Sequence, residues 1–438
     1  MRSFEPHRLR PSARAGSLIL LATSVGLAGA PAGHAQEIPA LSDSARVSLL
    51  SILPGDDIYS VFGHSALRIT DPVLGIDEAY NFGTFDFGDS PTAMLGFIGR
   101  FTYGDLNYRL TVQDPRRMVD YYWQELRRPT VEQTLALAPD ERQEMFRLLR
   151  INALPENAYY QYDFFFDNCA TRLRDVLVAA IGPELSFDAA PPDRSFRRLL
   201  DRYLGGARWT DFGMDLGLGL PADRQATARE AAFLPEHLMD FFAAGRLDRG
   251  GSAPEPLVTR TVRLTGPADA AWTPEPATPW PALLLWGLLL GGVALTVVDV
   301  RARRAGRRVV DGIFFGVLGI AGLAVVFLWF ISLHAVTKTN FNLGWALPTH
   351  LALAAALVAD SSARWIGYYL AATAVLAAVL LAGMPIWPQE LPGPAVPLLA
   401  LITVRAGGLA WVRLAPGRLA PGRLAPGGRA SGQVSPRA

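Results

Sequence analysis

Apolar and polar residues follow three different rhythms along this chain. From about residue 37 to 250, charged, aromatic and apolar residues are mixed as in a globular domain, and a segment of some 210 residues is long enough to bury a core. From Trp280 onward the text turns apolar, with runs near 280–298, 312–333, 344–359, 364–383 and 393–412. Each approaches the roughly 20 residues that a bilayer requires, the third being the shortest. At the other end, Arg8, Arg10 and Arg14 precede a short apolar run from Leu18 to Ala30 and the small-x-small step Gly33-His34-Ala35. That order predicts a secretory signal peptide over 1–36. The stretch 251–279 is rich in Pro, Ala, Gly and Thr and predicts a linker. The tail 413–438 repeats Arg-Leu-Ala-Pro-Gly and predicts disorder.

Within the first large segment the periodicity switches between strand and helix. Ile58–Ile69 and Glu78–Phe87 read as strands, as does Val131–Leu137. Asp114-Pro115 caps an amphipathic helix carrying Met118, Tyr121, Tyr122 and Leu126, and Pro139-Asp140-Glu141 opens another. After Cys169, the residues Leu173, Val176, Leu177, Ala180 and Ile181 recur at helical spacing until Gly182-Pro183. The expected architecture is therefore an α+β domain at 37–250, followed by an all-α transmembrane bundle of about five helices at 280–412.

Charge sets the orientation and excludes one class of partner. With 41 Lys+Arg against 40 Asp+Glu the net charge is +1, and no basic stripe suited to nucleic acid stands out in the first half. Arg301, Arg303, Arg304, Arg307 and Arg308 lie between the first two apolar runs, and Arg413, Arg418, Arg423 and Arg429 follow the last. Both groups belong on the cytoplasmic side. The α+β domain, the loop around His334–Leu343 and the loop around Met384–Pro394 then share the outer face.

The single cysteine cannot form an internal disulfide, so the exported domain relies on its core. Cys169 falls where the aromatic, strand-like run Tyr162–Phe166 gives way to a helix. In a first turn, unpaired N–H groups and the helix dipole favour the nucleophilic thiolate, with Asp167 as N-cap opposing them in part. A thiol of this kind needs a base. His64 stands in a strand behind Gly63, while His237 sits in an ordinary helix start. A third group must hold the imidazole. Asn81 on the next strand is the preferred orienter, with Glu78, Tyr80 and Asp86 as alternatives. Backbone N–H groups at the helix start, that of Cys169 included, would make an oxyanion hole, and Asn168 either helps them or caps the turn. His64, Asp56, Asp57 and Glu78 match no metal-ligand spacing, so neither metal nor cofactor is expected.

A strand histidine followed later by a helix cysteine resembles the order of circularly permuted papain-like folds, such as the lecithin:retinol acyltransferase group and permuted NlpC-type hydrolases. Three motifs make the resemblance more specific: Phe62-Gly63-His64-Ser65-Ala66-Leu67-Arg68-Ile69, Tyr80-Asn81-Phe82-Gly83-Thr84-Phe85-Asp86-Phe87 and Asp167-Asn168-Cys169-Ala170-Thr171-Arg172. With His334-Ala335-Val336-Thr337-Lys338-Thr339-Asn340-Phe341-Asn342-Leu343-Gly344-Trp345 they resemble Lnb-type bacterial lipoprotein N-acyltransferases over most of residues 45–350. The resemblance implies a permuted papain-like (NlpC-type) domain whose Cys169 takes a fatty chain from a membrane phospholipid as a thioester. The chain then passes to the amino group of a diacylglyceryl-cysteine lipoprotein in the bacterial inner membrane.

Within those motifs Ser65, Tyr80 and Asn168 are candidate substrate contacts beside the Cys/His pair. In the polar loop, Lys338 could hold a lipid phosphate while Asn340 and Asn342 bond ester carbonyls, with His334 nearby; a solvated external loop is the plain alternative. His350 reads as a helix-to-helix hydrogen-bonding residue and Arg405 as one snorkelling toward the inner face. Two other functions fit the same residues, a periplasmic cysteine amidase or peptidase acting on wall peptides and a non-enzymatic membrane scaffold. Four spans beyond a single anchor favour a lipid substrate over a wall peptide.

Overall fold

The computed structural model describes residues 38–57, 60–85, 90–267, 272–273, 277–304 and 307–415. The expected signal peptide, Asp86 and the repeats carrying Arg418, Arg423 and Arg429 lie outside the described residues.

Seven antiparallel strands form one sheet. They are β1 (Arg46–Ile52), β2 (His64–Asp71), β3 (Ile76–Thr84), β4 (Asn107–Gln113), β5 (Thr130–Leu135), β6 (Tyr159–Gln161) and, after a small sheet of β7 (Leu185–Phe187), β8 (Gly245–Leu247) and β9 (Glu255–Pro256), the strand β10 (Val258–Arg263). The large sheet runs β10-β5-β1-β2-β3-β4-β6, which puts the two motif strands β2 and β3 at its middle. β10 falls within the segment whose composition predicted a linker. Val258, Thr259, Thr261 and Val262 are β-branched residues that suit a pleated strand, and all but Thr259, at a bulge, pair with β5.

Helix α1 (Pro91–Tyr103) precedes β4, α2 (Pro115–Gln124) follows it, and α3 (Pro139–Asn152) and α4 (Cys169–Ile181) flank β6. Met118 and Tyr122 of α2 cover Leu50, Ile52, Ala66 and Ala79 on one sheet face. Further helices α5 (Phe196–Leu204), α6 (Arg208–Gly217), α7 (Ala228–Ala231) and α8 (Pro235–Ala243) complete the domain. They build a second core around Phe196, Leu200, Tyr203 and Phe233. The aromatic run expected to be strand-like is a turn instead. The Asp163 carboxylate accepts from the N–H groups of Phe165 and Phe166 at 2.9 and 3.0 Å, a local bond that competes with strand pairing.

Beyond residue 277 come α9 (Trp280–Ala302), α10 (Arg308–Val326, with a π-helical extension to Ile331), α11 (His350–Val358), α12 (Arg364–Gly383) and α13 (Ala395–Leu414). Four of these, counting α10 with its extension, are long and apolar enough to cross a membrane. The third expected run yields only the nine residues of α11, because Pro348, which lacks an N–H and disfavours helix in the residue before it, cuts the run short. Small residues let these elements approach closely: a Cβ on Gly322 would collide with Ala346, and one on Gly408 with Thr296. Arg308 pairs with Asp360 and Arg413 donates to the Ser361 carbonyl at 3.0 Å, so the arginine-rich ends gather at one pole.

Two buried polar groups tie the bundle together. Arg405 does not snorkel. It is 3 % exposed and donates to Asp311 at 2.6 and 2.8 Å and to Asp299 at 2.8 Å, joining α9, α10 and α13. His350 has Nε2 3.1 Å from the Trp345 carbonyl and Nδ1 2.9 Å from the Tyr369 hydroxyl, a link from α11 to α12.

At the opposite pole the α+β domain docks on the loop between α10 and α11. Gly219 and Leu220 donate backbone N–H groups to Val336 and Thr339 carbonyls at 2.9 and 3.1 Å. Any side chain at Gly219 would strike the Lys338 carbonyl, so glycine is what allows the two backbones to meet.

Candidate active site

The sheet register brings the polar pair together before any side chain is considered. Leu67 pairs with Tyr80, and continuing that antiparallel count sets Gly83 opposite His64. Asn81 is then the diagonal neighbour on the same face, within reach of a ring. His64 Nε2 lies 2.7 Å from Asn81 Oδ1. An amide oxygen only accepts, so Nε2 carries the proton and Nδ1 is left with its lone pair. Asn81 is 7 % exposed and its amide nitrogen reaches Gln113 Oε1 at 3.4 Å.

Cys169 is the first residue of α4, partly exposed. It borders the same small space as the imidazole: a Cβ on Gly83 would sit 3.5 Å from Cys169 Cβ, 3.7 Å from His64 Cε1 and 4.0 Å from the Tyr160 hydroxyl. Gly83 has φ +95°, a conformation open to glycine, and it leaves that gap free of a side chain. The N-cap is Asn168 and not Asp167: Asn168 Oδ1 accepts from the N–H groups of Ala170 and Thr171 at 2.9 and 3.0 Å. Asp167 instead holds Arg172 through two 2.7 Å bonds, and the guanidinium carbon of Arg172 lies 3.8 Å from the centre of the Tyr160 ring.

Electrostatics give this pair a neutral resting state. Burial pushes the Cys169 thiol up to about 11, against the downward pull of backbone N–H groups from Ser65, Ala170 and Cys169 itself. Burial also lowers His64 to about 4; the Asn81 bond opposes this, and the Arg128 charge adds to it. The helix start, through its N–H groups and dipole, favours the expected thiolate, with Asp167 opposed to it in part; desolvation, which disfavours any charge, outweighs them. At neutral pH the site holds a neutral thiol and a neutral imidazole, both bordering the gap at Gly83.

The remaining candidate residues fall in different places. Ser65 offers its backbone N–H to the sulfur, while its buried hydroxyl has no partner among the described residues. Tyr80 is fully buried with its hydroxyl donating to Glu78 at 2.7 Å, and strand alternation puts it on the sheet face opposite Asn81. The Asn168 amide is engaged by the carbonyls of Phe164 and Phe233 at 2.9 and 2.8 Å. It therefore caps the helix and supplies no free donor to an oxyanion.

The loop residues face protein where the sequence suggested lipid. Asn340 and Asn342 are completely buried. Asn340 donates to the carbonyls of Leu216 and Gly217 at 2.8 and 3.1 Å, and Asn342 to Leu216 at 3.2 Å. Their amides thus clamp the end of α6 to the loop. Lys338 Nζ is turned onto the carbonyls of Ser332 and Leu328 at 2.5 and 3.3 Å, and His334 Nε2 lies 2.7 Å from the Phe101 carbonyl. Helix α1, the neighbour of His334, was not among the expected elements, although Ser90, whose hydroxyl accepts from the Ala93 N–H, Pro91 and the left-handed Gly104 mark both its ends.

Among the described residues, the oxygens gathered for a cation are those of Asp201, Asp211 and Asp215, within 4.8 Å of one another, a group that includes neither Cys169 nor His64. Arg197 already pairs with Asp215 at 2.9 Å.

Two family models match this chain. One, described as Lnb N-terminal periplasmic domain, covers residues 40–202, and the other, described as Lnb transmembrane domain, covers 273–415. No curated protein and no solved structure matches it.

Proposed function

The chain belongs to the Lnb family of membrane proteins, and from that premise we propose that it is a lipoprotein N-acyltransferase working through an acyl-Cys169 intermediate. The observation that carries the reading is the 2.7 Å His64–Asn81 bond, which leaves Nδ1 unprotonated on a ring whose Cε1 borders the gap that Cys169 shares. As Sγ attacks an ester carbonyl of a phospholipid, His64 Nδ1 takes the thiol proton. It returns that proton to the departing alcohol, leaving a lysophospholipid and a thioester. The backbone N–H groups of Ser65 and Cys169, which already favour negative charge on the sulfur, are suited to the oxyanion. The free amine of a diacylglyceryl-cysteine lipoprotein then attacks the thioester, and His64 takes its proton while the thiol is regenerated.

Acyl transfer to an amine in competition with water asks for a site at the bilayer surface, where both lipid substrates reside. The clamp of Asn340 and Asn342 on α6 supports this, because it holds the α+β domain at the pole opposite the arginines. On this reading the domain is periplasmic and the bundle lies in the inner membrane. Mass spectrometry of lipoproteins from cells carrying the wild-type chain or Cys169→Ala tests it: the variant is expected to leave lipoproteins one N-linked chain short. Unchanged lipoproteins in cells that make the variant at normal levels would reject it.

A further inference from the structure

Helix α1 buries none of its thirteen residues. Met94, Leu95, Ile98, Phe101 and Tyr103 are all exposed, Leu95 by 68 % and Ile98 by 51 %. Its only charge is Arg100, in the last turn. An apolar helix face of this kind is unstable in water unless something covers it.

Its surroundings indicate what that is. The C-terminal end of α1 is bonded to the chain immediately beyond α10: Leu333 donates its N–H to the Tyr103 carbonyl at 2.7 Å, and His334 Nε2 is 2.7 Å from the Phe101 carbonyl. A Cβ on Gly104 would lie 3.2 Å from Leu333 Cβ. The neighbouring end of α10 exposes Phe330 and Ile331, and the chain just beyond it exposes Leu333, apolar surface at the end of a helix long enough to span. The exposed face of α1 therefore continues the lipid-facing belt of the bundle. Its other side leads inward: Phe97 stacks on Phe85 at 5.5 Å, Phe85 on Tyr108 at 4.8 Å and Tyr108 on Tyr162 at 4.1 Å. The last two rings lie within electrostatic reach of Cys169.

We propose that α1 is an interfacial helix seated in the outer leaflet, and that the row of stacked rings running inward from its Phe97 guides the donor's acyl chain from the bilayer to Cys169. Such a helix lies along the boundary of headgroups and hydrocarbon, with its apolar side down, and Arg100 is placed to reach the phosphates above it. The guiding role rests on the acyltransferase reading; the seating of α1 does not.

Two measurements separate them. In full-length Cys169→Ala protein in phospholipid nanodiscs, a spin label on Leu95→Cys is expected to collide with oxygen several-fold more than with a water-soluble nickel chelate. A label on Val73→Cys, 69 % exposed in the turn at the far end of β2, is expected to prefer the chelate. Equal preferences at the two sites overturn the proposal. With Cys169 present, Leu95→Asp combined with Ile98→Asp is expected to slow acylation of Cys169 by bilayer phospholipid about tenfold while leaving acylation by water-soluble p-nitrophenyl butyrate unchanged. Loss with both donors, or with neither, overturns the guiding role. A wild-type chain acylated by neither donor rejects the acyltransferase reading and the guiding role together, leaving the label result to decide where α1 sits.

Discussion

Removing the Asn81 amide is the sharpest probe of the site. Asn81→Ala deletes the 2.7 Å partner of His64 Nε2 in a place that is 7 % exposed. A buried donor left without its acceptor costs about 1–3 kcal/mol. If that energy holds the ring in its working orientation, a barrier change of about 1.36 kcal/mol per factor of ten makes acyl loading roughly fivefold to a hundredfold slower. The fold should survive, since domains of this kind have about 5–15 kcal/mol in hand. Asn81→Asp asks a finer question. A carboxylate about 4 Å from the ring, at an effective dielectric of about 20, stabilises the imidazolium by about 4 kcal/mol, or about 3 pK units. His64 would then move from about 4 to near neutrality. Because the charged ring cannot accept the thiol proton, the acid limb of the rate should shift upward into the range of roughly pH 6–7, while the wild type stays flat there. The assay is the rate of acyl-Cys169 formation from phospholipid vesicles between pH 5 and 8, read by mass spectrometry. Asn81→Ala loading within twofold of wild type would refute the assignment of Asn81 as the group that positions His64.

The other expectations are more direct. With the thiol held near 11, alkylation of Cys169 by iodoacetamide should climb steadily from pH 6 to beyond 9; a plateau from about pH 5 would reveal a preformed thiolate–imidazolium pair. Asn342→Ala leaves the buried Trp345 indole N–H without its acceptor and removes one of the two amides that hold Leu216; it should destabilise the docked domain by about 1–3 kcal/mol, seen as a lower unfolding temperature and faster proteolysis near α6. A variant that weakens phospholipid use at full stability would restore the lipid-contact reading of that asparagine. Arg405→Met strands Asp299 and Asp311 in the bundle and should cost about 3–5 kcal/mol. Adding Asp299→Asn and Asp311→Asn should recover part of the loss, measured as detergent-solubilised folded protein.

Much of the candidate site was legible because short motifs fix the local structure around it. The Cys169 helix and its Gly182 end follow from spacing and caps, and the pairing of Asn81 with His64 follows from two adjacent strands of alternating pattern. What the text concealed was solvation and partnership. Helix position argued for a thiolate at Cys169, yet burial by distant segments dominates, and no local pattern carries that information. Asn340 and Asn342 looked like lipid ligands because polar residues near hydrocarbon suggest substrate, whereas α6, more than a hundred residues earlier, claims their amides. β10 was hidden in Pro- and Gly-rich surroundings, and α11 lost its length to one proline.

The three-way contact of Arg405 with Asp299 and Asp311 also bears on how the protein is made. Two acidic side chains are threaded into the membrane about a hundred residues before the ribosome reaches the guanidinium that neutralises them. The first two helices of the bundle therefore carry carboxylates whose guanidinium arrives only with the final helix.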